Sequence, residues 1–80
     1  MDNFENMTEE QLLGWTHCMV GKIVGHYGEI AKDCAEGINH GNFREIIECI
    51  LKLMPSVVNP EVWIAEQLVL FAAWSLECLF

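Results

Sequence analysis

The chain has 80 residues, enough for one domain, and 52% of them are hydrophobic, which favours an ordered core over disorder. Twelve acidic residues against four basic ones give a formal net charge of −8, a sign that repels nucleic-acid phosphates. We therefore expect a single domain over residues 1–80 that does not bind nucleic acid directly, with a flexible acidic N-terminus at residues 1–7.

The first predicted helix covers about residues 8–36. Thr8 is followed three residues later by Gln11, which is the spacing of a capping box. Apolar residues then recur at helical spacing until Gly37, a residue type that commonly follows the end of a helix.

Four glycines and one cysteine share a narrow stripe of this helix: Gly14, Cys18, Gly21, Gly25 and Gly28. Each interior glycine costs about 0.8–1 kcal/mol relative to alanine, so the stripe needs a reason. Two interpretations stay open. The stripe is a close-contact face for another helix or a ligand, or the helix is kinked or split near Gly25–Gly28.

Two further helices are predicted, at residues 43–54 and 60–79. Asn42 and Glu45 have the spacing of a second capping box, and Asn59 followed by Pro60 is the preferred order at a helix start. Short linkers between three helices are typical of antiparallel neighbours. The sequence therefore predicts an all-α fold, a small three-helix bundle.

The third helix is apolar around almost its whole circumference. Its polar residues share one arc with two tryptophans, and 80 residues provide too little core to cover such a helix. We therefore expect a homo-oligomer or a complex with another protein. The predicted interface has three central anchors and three rim residues: Trp63, Leu70 and Trp74, with Glu66, Gln67 and Glu77.

The same helix is not expected to cross a membrane. Three polar residues interrupt it, and no lysine or arginine follows Lys52 to orient an insertion.

Four cysteines stand singly along the chain, and the acidic first residues lack the pattern of a signal peptide. We expect reduced, buried thiols and a cytoplasmic location in the producing or host cell, with two disulfides as the alternative in a secreted protein.

Metal-ligating and catalytic patterns are missing from the sequence. The available histidine and cysteine ligands lack the short paired spacing of zinc sites: His17, Cys18, His26, Cys34 and His40. Glu66 and Glu77 are eleven residues apart, about 16 Å along a helix, which is too far to act on one bond. We therefore predict no metal, no cofactor and no enzymatic activity.

The function predicted is that of a non-enzymatic, acidic protein-binding module that inhibits a larger protein or complex. In size, charge and composition the chain resembles the small inhibitors carried by phages, including anti-CRISPR proteins, which implies a viral protein.

Two alternatives stay open. A small-ligand or nucleotide-binding oligomer would stack a base on Phe4, Trp15 or Tyr27 and meet a phosphate with Lys22 or Lys32. A structural or assembly subunit would bind only its own copies.

Overall fold

The computed structural model describes residues 8–54 and 56–79, and the regular structure in this part of the chain is entirely helical. In chain order the elements are α1 (Glu9–Tyr27), a turn of 3₁₀ helix (Glu29–Ala31), α2 (Lys32–Ala35), α3 (Phe43–Leu51) and α4 (Pro60–Leu79). The all-α prediction is therefore confirmed. The flexible acidic segment predicted at residues 1–7 lies outside the described residues, as does Phe4.

Helix α1 begins as predicted but ends early. The Thr8 hydroxyl accepts from the Gln11 amide at 3.1 Å, and the Gln11 side chain accepts from the Thr8 amide at 2.9 Å, which completes the capping box. Gly28 ends the helix with φ +99°, a backbone conformation that favours glycine. The first predicted helix is therefore split near Gly25–Gly28, as one of the two interpretations of the glycine stripe allowed, and the described chain has four α-helices instead of three.

The loop before α3 uses its cap residue differently from the prediction. The Asn42 side chain accepts from the Asn39 amide at 2.8 Å and donates to the Gly37 carbonyl at 2.9 Å. It makes no capping hydrogen bond to α3, so the capping box predicted with Glu45 is wrong. The Asn42 side chain is hydrogen-bonded to the Asn39 amide and the Gly37 carbonyl, so it does not cap α3.

The core lies between three helices. Helix α4 packs against both α1 and α3, while the short α2 connects α1 to α3. Hydrogen bonds join Trp15 to Ser75 and Tyr27 to Gln67, so α1 and α4 run antiparallel. The residues buried at the centre come from all three long helices: Trp15, Met19, Ile23, Ile46, Ile47, Ile50, Ile64 and Phe71.

Two disulfides connect the helices, so the prediction of reduced thiols is wrong. Cys18 of α1 is bonded to Cys78 of α4 with an S–S distance of 2.02 Å. Cys34 of α2 is bonded to Cys49 of α3 at 2.08 Å. In both pairs the Cα atoms are 5.7 Å apart, within the usual range for a disulfide. The pairing arises because helix packing brings together cysteines that are distant in sequence.

Candidate protein-binding surface on α4

Helix α4 has two apolar faces, and only one of them is used by the fold. The inner face is buried against α1 and α3, with Ile64 and Phe71 in the core. On the opposite side, Val62, Val69 and Leu76 expose 52%, 72% and 58% of their surface. Ala65 and Ala72 lie between them and are also exposed. We call these five residues the outer stripe: Val62, Ala65, Val69, Ala72 and Leu76.

The inner face contains polar groups that are paired with α1. The Tyr27 hydroxyl donates to the Gln67 side-chain oxygen, and the Trp15 indole N–H donates to the Ser75 hydroxyl at 3.2 Å. Among the described residues, every buried side-chain nitrogen or oxygen has a hydrogen-bond partner. Burial of Tyr27 raises its pKa to about 12, because desolvation disfavours the phenolate. These pairs fix which face of α4 turns inward.

Aromatic rings surround Tyr27 at the junction of α1 and α4. Its ring centroid lies 6.2 Å from those of both Trp63 and Trp74, and 6.5 Å from that of Phe71. His26 meets Trp74 edge to face at 5.3 Å. Both tryptophans are half-buried and pack against the core. Much of the ring surface expected to anchor a partner is therefore used within the chain.

The remaining predicted interface residues are divided between the two sides of α4. Gln67 is buried and bonded to Tyr27, so its assignment to a solvent-exposed rim is wrong. Leu70 is half-buried, whereas Glu66 and Glu77 are exposed. Glu77 forms an ion pair with Lys22 at 2.8 Å. The predicted set therefore does not form one continuous surface.

The outer stripe was missed from the sequence, although its signal is present there. Its five residues are separated by three, four, three and four positions, the spacing of a heptad seam. Because α4 is apolar all round, this spacing alone does not separate the outer face from the core face.

At its three helical glycines, the glycine face of α1 makes no close contact with the rest of the described chain. A Cβ atom added at Gly14, Gly21 or Gly25 meets no described atom within 4 Å beyond its own stretch of helix. Cys18, which lies on the same stripe, forms the disulfide to α4. Of the four glycines, only Gly28 has a backbone conformation that favours glycine, with φ +99°. Because Gly28 ends α1, the stripe includes a true helix break.

A shallow open depression of about 350 Å³ lies over the first turns of α1 and is lined by Glu9, Leu12, Leu13 and Thr16. Both leucines are exposed. All four lining residues belong to one helix, so the depression brings no distant chemical groups together.

Helix α4 is long and apolar enough to cross a membrane: 18 consecutive residues of it have a mean hydropathy of 1.4, and 22% of this stretch is buried in the fold. Core helices of soluble proteins have the same length and composition, so these two properties do not distinguish a membrane span from a core helix.

Residues 8–54 and 56–79 contain no group of three histidine, cysteine, aspartate or glutamate side chains that could hold a metal ion. Cys18 and Cys34, two of the candidate ligands, are in disulfides. Comparison of the chain with protein-family models, with curated proteins and with solved structures finds no match.

Proposed function

We propose that the protein is a non-enzymatic, acidic protein-binding module that docks through the outer stripe of α4. The observation that carries the proposal is the exposure of Val62, Val69 and Leu76 along one line of a helix whose other side is already in the core. Solvent-exposed apolar patches with polar edges are typical of protein-interaction sites. An apolar stripe at heptad spacing fits an α-helix of the partner.

Charge supports a protein partner over nucleic acid. The net charge is −8, and two of the four basic side chains, Lys22 and Arg44, are ion-paired with glutamates. Such a surface repels phosphates and accelerates encounter with basic protein surfaces. The proposal includes inhibition of the larger protein or complex that is bound, a role suggested by the chain's size, charge and composition.

One of the aromatic residues expected to stack a nucleotide base is not accessible in the fold. Trp15 is buried and donates to Ser75, so its face is not open to a base. The Tyr27 ring is flanked by Trp63 and Trp74 of the same chain. These internal contacts favour protein binding over base stacking.

The cytoplasmic location predicted from the sequence stays a prediction. Cys18–Cys78 and Cys34–Cys49 argue against it, because disulfides persist more readily in oxidising compartments.

Affinity capture from the native cell, followed by mass spectrometry, tests the proposal. The oxidised wild-type protein is compared with Val69→Glu, which places a charge at the middle of the stripe. Val58→Glu is the matched control, because Val58 is 96% exposed and lies outside α4. We expect a partner retained by the wild type and Val58→Glu and lost with Val69→Glu. Equal retention of the partner by the wild type and both variants contradicts the proposal. The proposal is also contradicted if the protein captures no partner but floats with lipid vesicles.

A further inference from the structure

We infer that the helix bound by the outer stripe is basic and that it places an arginine side chain against Glu66 and Trp63. The inference rests on the proposed function, since it names the chemistry of the partner that covers the same surface. Three observations support it: a pair of tryptophan and glutamate that occurs twice along α4, an ion pair formed at one of the two glutamates, and the end of α1 before it reaches the other.

One edge of the outer stripe carries the same two residue types twice. Trp63 is three positions before Glu66, and Trp74 is three positions before Glu77, so each indole and carboxylate are neighbours on the helix surface. The two pairs are eleven residues apart, about 16 Å along the axis and on nearly the same side of the helix. Both glutamates are exposed and both tryptophans are half-buried. Each pair therefore presents a carboxylate beside an indole that is partly accessible.

This edge borders the outer stripe directly. Glu66 is four positions after Val62 and three before Val69, so it lies beside two of the exposed valines. A helix whose apolar side chains cover the stripe carries one of its own edges past Glu66. The charge on that edge of the partner decides whether Glu66 attracts or repels it.

A carboxylate beside an indole favours arginine. A guanidinium group pairs with a carboxylate through two parallel hydrogen bonds and is also attracted to the face of an aromatic ring. Helix α4 contains no basic residue, and a further exposed glutamate, Glu61, adds to its negative charge. The net charge of −8 acts in the same direction by drawing cationic segments toward the chain.

The glutamate of the second pair already binds a cation from the same chain. The Lys22 ammonium lies 2.8 Å from a Glu77 carboxylate oxygen, and the two side chains are 33% and 60% exposed. Because both pairs have the same residue types at the same spacing, this ion pair indicates the class of group that Glu66 accepts.

The fold supplies no such cation to Glu66. Helix α1 runs antiparallel to α4, and its last residue, Tyr27, bonds to Gln67, the neighbour of Glu66. Gly28 then ends the helix with φ +99°, so α1 does not continue alongside the first turns of α4. In the part of the chain that the structure describes, Glu66 forms no ion pair. We therefore assign its cation to the partner that covers the adjoining stripe.

The extent of the surface predicts a transient complex. Helix α4 has 20 residues and is about 30 Å long, and the stripe with its acidic edge is about 15 Å wide, which gives roughly 450 Å². With an equal area of the partner this becomes about 900 Å², the size of weak and transient interfaces. We expect a dissociation constant on the order of 100 µM at low ionic strength.

Synthetic peptides test the chemistry of the partner. The probe is an amphipathic helix of about 20 residues with leucines at heptad spacing and arginines along both edges of the leucine face. The matched control peptide has the same composition, with the arginines moved to the side opposite the leucines. Isothermal titration calorimetry with the oxidised full chain should give an affinity at least about tenfold higher for the probe than for the control peptide. Both peptides have the same net charge, so the difference reports the position of the arginines.

Variants of the chain test the position of the contact. Glu66→Gln should weaken binding of the probe about threefold to tenfold, because the ion pair is lost and the arginine is held less firmly against the indole. Glu45→Gln is the matched control, since it removes the same charge from an exposed site on α3 and should change the affinity less than about twofold. Val69→Asn adds no charge and should weaken binding at least about tenfold by burying an amide against the leucines. Circular dichroism should show that all three variants remain helical.

Other results overturn the inference. Equal affinities for the two peptides, or equal effects of Glu66→Gln and Glu45→Gln, show that binding responds only to net charge. Binding unchanged by Val69→Asn shows that the peptide does not lie on the outer stripe. Absence of binding by either peptide at about 1 mM also overturns the inference. If the chain then still captures another protein in a Val69-dependent manner, the proposed function stands.

Discussion

The disulfide between α1 and α4 is expected to contribute more to stability than the one between α2 and α3. Cys18 and Cys78 are separated by 60 residues, whereas Cys34 and Cys49 are separated by 15. Loop-closure entropy in the unfolded chain gives about 4 kcal/mol for the longer loop and about 3 kcal/mol for the shorter one. A domain of this size has a total free energy of unfolding of about 4–12 kcal/mol. Reduction of both bonds should therefore remove most of the stability and unfold the protein.

The matched comparison uses alanine pairs, which avoid introducing a hydroxyl group at the buried Cys34. One variant carries Cys18→Ala with Cys78→Ala, and the other carries Cys34→Ala with Cys49→Ala. Urea unfolding followed by circular dichroism and tryptophan fluorescence gives the loss of free energy in each. We expect the first variant to lose about 1 kcal/mol more than the second. A larger loss from the 15-residue loop, or four alkylatable thiols in the oxidised wild type, would refute the reasoning.

The remaining predictions concern single side chains. Tyr27→Phe should lower the free energy of unfolding by about 1 kcal/mol in urea titrations, because Gln67 loses its hydrogen-bond donor. Tyr27 is the only tyrosine, so the ultraviolet absorbance of its phenolate should titrate near pH 12. The unfolded state ionises near pH 10, so stability due to this group falls as pH rises from 10 toward 12; a native midpoint near 10 would contradict this. Gly21→Ala should stabilise the protein by about 0.8–1 kcal/mol, because the new methyl group meets no described atom outside its own stretch of helix within 4 Å. Gly28→Ala should destabilise it by roughly 1–3 kcal/mol because φ is +99°, and similar thermal shifts in the two variants would argue against this difference. Val69→Glu should change the monomer's free energy of unfolding by no more than about 0.5 kcal/mol, and a larger loss in urea would place Val69 in the fold.

Local signals in the sequence were sufficient for the start of α1. Thr8 and Gln11 satisfy each other's backbone amides across three residues, so no distant part of the chain is needed. The same reasoning failed at Asn42, because the loop amide of Asn39 and the carbonyl of Gly37 occupied its side chain. A spacing rule cannot show which of two local partners will bind a short polar side chain.

The orientation of α4 could not be predicted from its composition. The sequence suggested that Gln67 marks the solvent side, because polar residues are usually exposed. In the structure the Tyr27 hydroxyl bonds to Gln67 and Ser75 accepts from Trp15, so two polar residues turn inward. These partners come from α1, and their positions depend on how the helices pack. The cysteine pairs were unpredictable for the same reason, since Cys18 and Cys78 meet only after α1 and α4 align.

The disulfides explain how so small a protein can leave an apolar helix face exposed. An 80-residue chain buries only about 60% of its unfolded surface, which leaves a small stability margin for a core alone. Cross-links of about 3 and 4 kcal/mol supplement that core without using the outer stripe. Val62, Val69 and Leu76 are therefore not needed to hold the monomer together. Stability and association should consequently respond to different substitutions: the cysteine variants weaken folding, while Val69→Glu weakens association in a chain that remains folded.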